Sequence, residues 1–222
     1  MIIMKKVRVL ISFVLIITTL HSVAQKKVSD LTLVYDAVIS TGTSEPKLAD
    51  AFDGSTTTIY LKSNLSRTEM VSALASFITI YNGQTGNAVL LEEVNGQKLL
   101  IKMNSDNWKE KNKKYADIKF VDSTETKVIA GYKCKKAVAQ LNDGTSFVVY
   151  YTTEILPENM DFNYQFRNLK GLPLAYEVTQ GNLKISYTVS SISLNPVPSS
   201  KFDVPKSGYR EMTYDESKKL GM

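Results

Sequence analysis

Apolar and polar residues alternate with a period of two along much of this chain, the spacing of strands with one buried and one wet face. Leu172, Leu174, Tyr176 and Val178 fall on one side of a strand, with Ala175, Glu177 and Thr179 on the other. Past Gly181-Asn182 the beat resumes: Leu183, Ile185, Tyr187 and Val189 alternate with Lys184, Ser186, Thr188 and Ser190. Turn dipeptides punctuate the pattern. Asn95-Gly96 joins Ala88–Val94 to Gln97–Met103, Asp143-Gly144 joins Tyr132–Leu141 to Thr145–Thr152, and Gly181-Asn182 joins Leu174–Thr179 to Leu183–Leu194. These dipeptides suit type I′ turns, whose two central residues take the positive φ that Gly and Asn tolerate. Together they predict an antiparallel meander. Further strands are expected at Leu31–Ile39, Thr56–Leu61, Arg67–Leu74, Phe77–Tyr81 and Ile118–Val121.

Helical signals are few. Ser105-Asp106-Asn107 can cap a helix from Trp108 to about Ala116, with Trp108 and Tyr115 on one side. Leu156–Leu169 is ambiguous: Pro157 suits a first helical turn, and Phe162, Phe166 and Leu169 are helically spaced. Thr213 can cap a short helix over Tyr214–Leu220, and Asn195-Pro196-Val197-Pro198 reads as an extended connector. No repeat or low-complexity tract interrupts the chain.

The beginning of the chain breaks the strand pattern. Lys5, Lys6 and Arg8 precede an apolar run from Val9 to Leu20, and Ser22-Val23-Ala24 has the small residues of a signal-peptidase site. The run has 12 residues, against the roughly 20 that a spanning helix needs. Residues 1–24 are therefore expected to be a signal peptide and residues 25–222 a single exported domain, soluble in the periplasm with no transmembrane anchor. The residue immediately after the expected cut is Gln25 and not cysteine, so a lipoprotein anchor is not expected either. Cleavage leaves 222 − 24 = 198 residues, enough for one ordinary core.

Cleavage also changes the chemistry. The 27 basic and 22 acidic side chains fall to 24 and 22, a net charge of +2. The basic residues form no stripe, so no nucleic-acid partner is expected. Lys109, Lys111, Lys113 and Lys114 read as a solvated face. His21, the only histidine, leaves with the leader. That removes His-based triads, Cys-His nucleophiles and imidazole metal sites. Cys134 is the only cysteine and pairs with nothing. Strand alternation sets it opposite Lys133 and Lys135, as a buried thiol beside Tyr132. Glu92 and Glu93 are adjacent on a strand and face opposite sides. Asp50, Asp53 and Gly54 make a turn with too few oxygens for calcium. Asn64-Leu65-Ser66 matches a glycosylation sequon, a short and common motif. No phosphate loop or nucleophile elbow is present. No catalytic residue, metal or cofactor is expected, and the chain reads as non-enzymatic.

Tyrosine is the enriched aromatic, with 12 residues. Tyr35, Tyr60, Tyr81, Tyr150, Tyr151, Tyr176 and Tyr187 lie in expected strands, where they pack a core or line a concave pocket. Lys127–Ala137, Asp143-Gly144-Thr145, Val149-Tyr150-Tyr151-Thr152 and Leu169-Lys-Gly-Leu-Pro-Leu174 resemble exported bacterial proteins of the DUF4412 and GLPGLI type. Thr58–Lys62, Arg67-Thr-Glu69, Leu99–Lys102, Phe202-Asp-Val-Pro205, Gly208-Tyr209 and Met212-Thr213 fit the same pattern. Those families are similar in layout to the lipoprotein-carrier (LolA-like) superfamily, in which a curved antiparallel sheet wraps around helices and a hydrophobic cavity. The resemblance implies a mainly β (α+β) domain, a curved sheet or half-barrel of about ten strands with a few helices on the concave face. It also implies a hydrophobic ligand, such as a lipid or a lipoprotein acyl chain, held by that face. Leu174, Tyr176, Val178, Leu183, Ile185 and Tyr187 share one face of a hairpin and are the candidate lining residues. The alternative is a structural or interaction module of the cell envelope, with a filled core and another envelope protein as its partner.

Overall fold

The computed structural model describes residues 25–40, 55–72, 75–180 and 183–220. The expected leader, the Asp50–Gly54 loop and the Gly181-Asn182 turn lie outside those residues. The alternating segments become strands β1 (Lys26–Val28), β2 (Asp30–Ser40), β3 (Thr56–Lys62), β4 (Leu65–Val71), β5 (Ala75–Asn82), β6 (Asn87–Val94) and β7 (Gln97–Met103). After helix α1 (Ser105–Lys111) come β8 (Lys119–Ile129), β9 (Tyr132–Gln140), β10 (Ser146–Thr152), β11 (Ile155–Pro157), β12 (Leu172–Gln180) and β13 (Leu183–Ser193). The chain then adds β14 (Arg210–Thr213) and helix α2 (Tyr214–Lys219).

Twelve of these strands form one sheet in the order β14-β7-β6-β5-β4-β3-β2-β13-β12-β10-β9-β8, and β1 and β11 pair separately. The large sheet is curved and is not closed into a barrel. All its pairings are antiparallel except β14 with β7. The β-rich fold and curved sheet match the expectation, with twelve strands where about ten were read.

One face carries the helices. Tyr81, Leu90, Ile101 and Met103 pack there with Trp108 of α1 and Tyr214 of α2. Further along the same face, Leu33 lies opposite Ile59 and Tyr35 opposite Val189, in a larger cluster that includes Phe162 and Leu174. We call this the inner face. The outer face of β3–β7 is buried too. Ile80, Leu91 and Leu100 pack against Val197 and Phe202, which belong to the segment from Leu194 to Tyr209. That segment leaves β13 in mid-sheet and crosses the back of the meander to reach β14 at the edge.

Polar anchors hold this strap down. Asp30 accepts a hydrogen bond from the Val197 amide at 2.9 Å and pairs with Lys62 at 3.0 Å, while Lys62 also donates to the Val197 carbonyl at 2.9 Å. The amide bond first, then Lys62, holds the Asp30 carboxyl below its ordinary value. Arg67 donates to the Lys201 carbonyl at 3.1 Å, and the Tyr209 hydroxyl donates to Glu93.

Several local expectations change. Helix α1 is shorter than read and begins earlier. Asn104 is its cap, accepting from the amides of Asp106 and Asn107, so Ser105 is already helical. Lys113–Tyr115 is a separate 3₁₀ turn. Pro157 ends β11 instead of opening a helix, and two 3₁₀ turns, Met160–Phe162 and Tyr164–Phe166, follow under Asn159 and Asn163 caps. The Asn95-Gly96 turn has positive φ at both residues, 50° and 78°. At Asp143-Gly144 only the glycine does, because the loop there is longer, closed by Leu141 N–H to the Thr145 carbonyl at 2.9 Å. Ala130-Gly131, with φ of 49° and 84°, is a tight turn between β8 and β9 built without the Asn-Gly or Asp-Gly signature.

Candidate functional site

The register of β12 and β13 places the candidate residues on one face. Tyr176 lies opposite Tyr187, Val178 opposite Ile185, and Leu183 opposite Gln180. Alternation adds Leu174 to the same side. These six side chains do not share one environment. Leu174, at the root of the hairpin, is fully buried, whereas Val178, Leu183 and Ile185, toward its tip, are half-buried.

The root is filled by aromatic rings. Tyr176 stacks on Tyr187 with centroids 4.8 Å apart, and it meets Phe166 edge-on at 4.9 Å and Tyr35 at 5.9 Å. Offset and edge-on geometries of this kind are worth about 0.5–1.5 kcal/mol per pair beyond the area they bury. Burial pushes the hydroxyl pKa of Tyr176 well above the usual range, and those of Tyr35 and Tyr187 upward. Each therefore stays protonated at neutral pH. Tyr35 donates to the Pro173 carbonyl at 2.8 Å. Phe166 reaches the site on its 3₁₀ turn, and Gly171 brings the chain back beside β10. A Cβ at Gly171 would stand 2.4 Å from the Thr152 carbonyl oxygen and from the Tyr151 ring. The glycine of the Gly171-Leu-Pro-Leu174 motif is thus required by close approach.

Tyr35 and Phe166 are the residues that sequence reasoning left out of the site. Both were flagged, one as a strand aromatic and the other by its spacing with Phe162. Neither signal says which face of which strand it will meet.

The opposite face of this half is polar and internally paired. Glu177 binds Lys184 at 2.9 Å, and Ser190 donates to Asp36 at 3.1 Å. Beside them, Glu125 accepts from the Tyr150 hydroxyl and pairs with Lys136 at 2.7 Å. Lys136 first, then Tyr150, keeps the Glu125 carboxyl low, and the same bond raises the Tyr150 hydroxyl. Such a network is occupied with its own charges. Cys134 is fully buried, and desolvation raises its thiol pKa to about 11, so it is a core atom and not a nucleophile. Lys133 and Lys135 are exposed beside it, as alternation predicted. Glu92 and Glu93 face opposite sides, one toward Leu99 and the other paired with Lys98. Among the described residues, no helix is long and apolar enough to cross a membrane.

No protein-family model matches this chain, and no curated protein matches it. Among solved structures, PNGF-II is similar over 86% of this chain and 32% of its own, with a TM-score of 0.50 and 16% identity. The chain thus spans about a third of that protein's length. Weaker matches are MucB, with a TM-score of 0.36 and 12% identity over 80% of this chain and 58% of that one, and a β-barrel-like DUF1849 protein from Brucella abortus, with 0.38 and 8% over 77% and 99%. At its identity, the PNGF-II likeness concerns the fold alone.

Proposed function

We propose that this chain is an exported, non-enzymatic protein of the DUF4412/GLPGLI type, soluble in the periplasm. In this reading it binds a hydrophobic partner, a lipid or lipoprotein acyl chain, on the outer half of the β12–β13 hairpin. The observation that carries the reading is the step in burial along one face, from Leu174 with no exposed surface to half-buried Val178, Leu183 and Ile185. An apolar strip continuous with the core but incompletely covered is what an acyl chain needs. The aromatic root limits the depth of such a site, so the ligand would lie along the tip.

Replacing Ile185 by Asp tests this. Binding of a fluorescent fatty acid should be lost while the circular-dichroism spectrum stays folded. A wild type that binds no fatty acid, or a variant that unfolds, would shift the reading to an envelope interaction module with a filled core. The ring packing around Tyr176 favours that second reading. Export is tested separately, since secreted protein should begin at Gln25.

A further inference from the structure

A different part of the sheet carries a pair of opposite charges kept apart. Glu92, Leu99 and Arg210 lie directly abreast on β6, β7 and β14, so their side chains leave the same face. They line a cavity of about 200 Å³ at the sheet margin, floored by Leu99 and Met212 and walled by Val94 and Leu220. Met212 is buried, and Leu220 is 62% exposed at the mouth. Elsewhere on these strands opposite charges pair off, Glu93 with Lys98 at 2.9 Å and Lys102 with Glu211 at 2.7 Å. The side chains of Glu92 and Arg210 enter no hydrogen bond or ion pair among the described residues, and Arg210 acts on an acidic neighbour, Glu216, only through space. The strand carrying Leu99 stands between them.

The dimensions say what would fit. Two strand spacings separate the backbones of Glu92 and Arg210 by about 9–10 Å. A charge-assisted hydrogen bond at each end takes about 2.8 Å. From that spacing the Glu92 and Arg210 side chains, both leaving the same face, can turn toward each other and hold an ammonium and a carboxylate borne by one tetrahedral carbon. The volume is below the roughly 300 Å³ at which pockets for larger organic ligands begin. We infer that this cavity is a site for a small zwitterion with an aliphatic side chain, of the size and charge pattern of a free α-amino acid. Glu92 receives the ammonium, Arg210 the carboxylate, and Leu99, Met212 and Leu220 the side chain. The site is independent of the β12–β13 hairpin and of any lipid bound there.

The test is a titration of the full chain, labelled at its methionine methyl groups, with L-leucine followed by NMR. Saturable shifts of the Met212 methyl are expected. N-acetyl-leucine, which lacks the ammonium, and leucinamide, which lacks the carboxylate, should each bind at least tenfold more weakly. So should L-leucine with Glu92→Gln or Arg210→Gln, two substitutions at the cavity margin that leave the core intact. No saturable shift with L-leucine overturns the inference. Equal binding of N-acetyl-leucine or leucinamide, or shifts that spare Met212, overturns it as well.

Discussion

The two halves of the sheet solve the same problem differently. From β5 to β7, helices cover the inner face and the strap from Leu194 to Tyr209 covers the outer one, so consecutive residues are buried in β6 and β7. Leu99, Leu100 and Ile101 run together in β7 for this reason, and β6 carries Val89, Leu90 and Leu91. From β13 through β12 to β8, the outer face is largely wet. There the strands alternate, and three register shifts bend the ladder, between Val189 and Ser191, Tyr150 and Tyr151, and Asp122 and Thr126. A short continuous apolar run marks a doubly covered strand, and alternation marks a singly covered one.

The sharpest way to break this contrast is to put the same charge on the outer face of each half. Leu100→Asp places a carboxylate under the strap at a residue 1% exposed. A buried, unpaired charge costs several kcal/mol, comparable to total domain stability. We expect no native transition in a urea melt. Thr188→Asp, on the exposed outer face of β13, should lower the stability read from the same melt by no more than about 1 kcal/mol, a cost that includes its place opposite Asp36. Equal costs would mean that the strap does not seal the back of the meander.

Cys134→Ser should cost about 1–3 kcal/mol, because it buries a hydroxyl in an apolar cluster with Ile129, Ile155 and Leu172. The wild-type thiol should react slowly with a labelling reagent in native protein and quickly in denaturant. Equal rates would place it at the surface.

Asp30→Asn comes next, at about 1–2 kcal/mol for the loss of charge-assisted hydrogen bonds. Its carboxyl is lowered in the folded state. The stability it contributes is therefore fully present above the ordinary aspartate value near 3.9 and is lost as pH falls through the depressed one. The variant should show a flatter acid limb than the wild type in melts from neutral pH down to about pH 2. An unchanged limb would remove Asp30 as the clasp of the strap.

The smallest effect belongs to the edge. Val128, 68% exposed on β8, should tolerate Thr within about 0.5 kcal/mol by the same melt.

Much of the strand layout was legible because alternation and turn chemistry are local. The β12–β13 register follows from Leu174 to Tyr187 without any tertiary information, and Cys134 fell on the side that the pattern gave it. Strand β8 shows the opposite case. Only Ile118–Val121 was readable, yet the strand runs from Lys119 to Ile129. Its Asp122-Ser-Thr-Glu-Thr-Lys127 stretch buries almost nothing, so it leaves no hydrophobic beat. As an edge strand it is defined by pairing with β9, and its charges and irregular register guard the open side. The strap was equally unreadable. Asn195–Pro198 signals an extended connector, but not that Val197 and Phe202 will roof Ile80, Leu91 and Leu100. At the candidate site, the hairpin face was visible in the sequence, whereas the rings that fill its root come from Tyr35 of β2, far away along the chain, and from Phe166, nearby but on a 3₁₀ turn whose direction no strand pattern shows.

The place of β13 beside β2 has a consequence for the order in which the molecule assembles. Ser190 and Asp36, bonded across that seam, stand 154 positions apart in the chain. The β3–β7 meander closes through neighbouring hairpins and can form early, while the seam pays a large loop-closure entropy before any contact rewards it. During synthesis, β2 would wait with one edge unpaired until nearly the whole chain has emerged. A chain stopped after residue 180 would keep that edge open for good, a strand whose missing neighbour any other extended segment can replace.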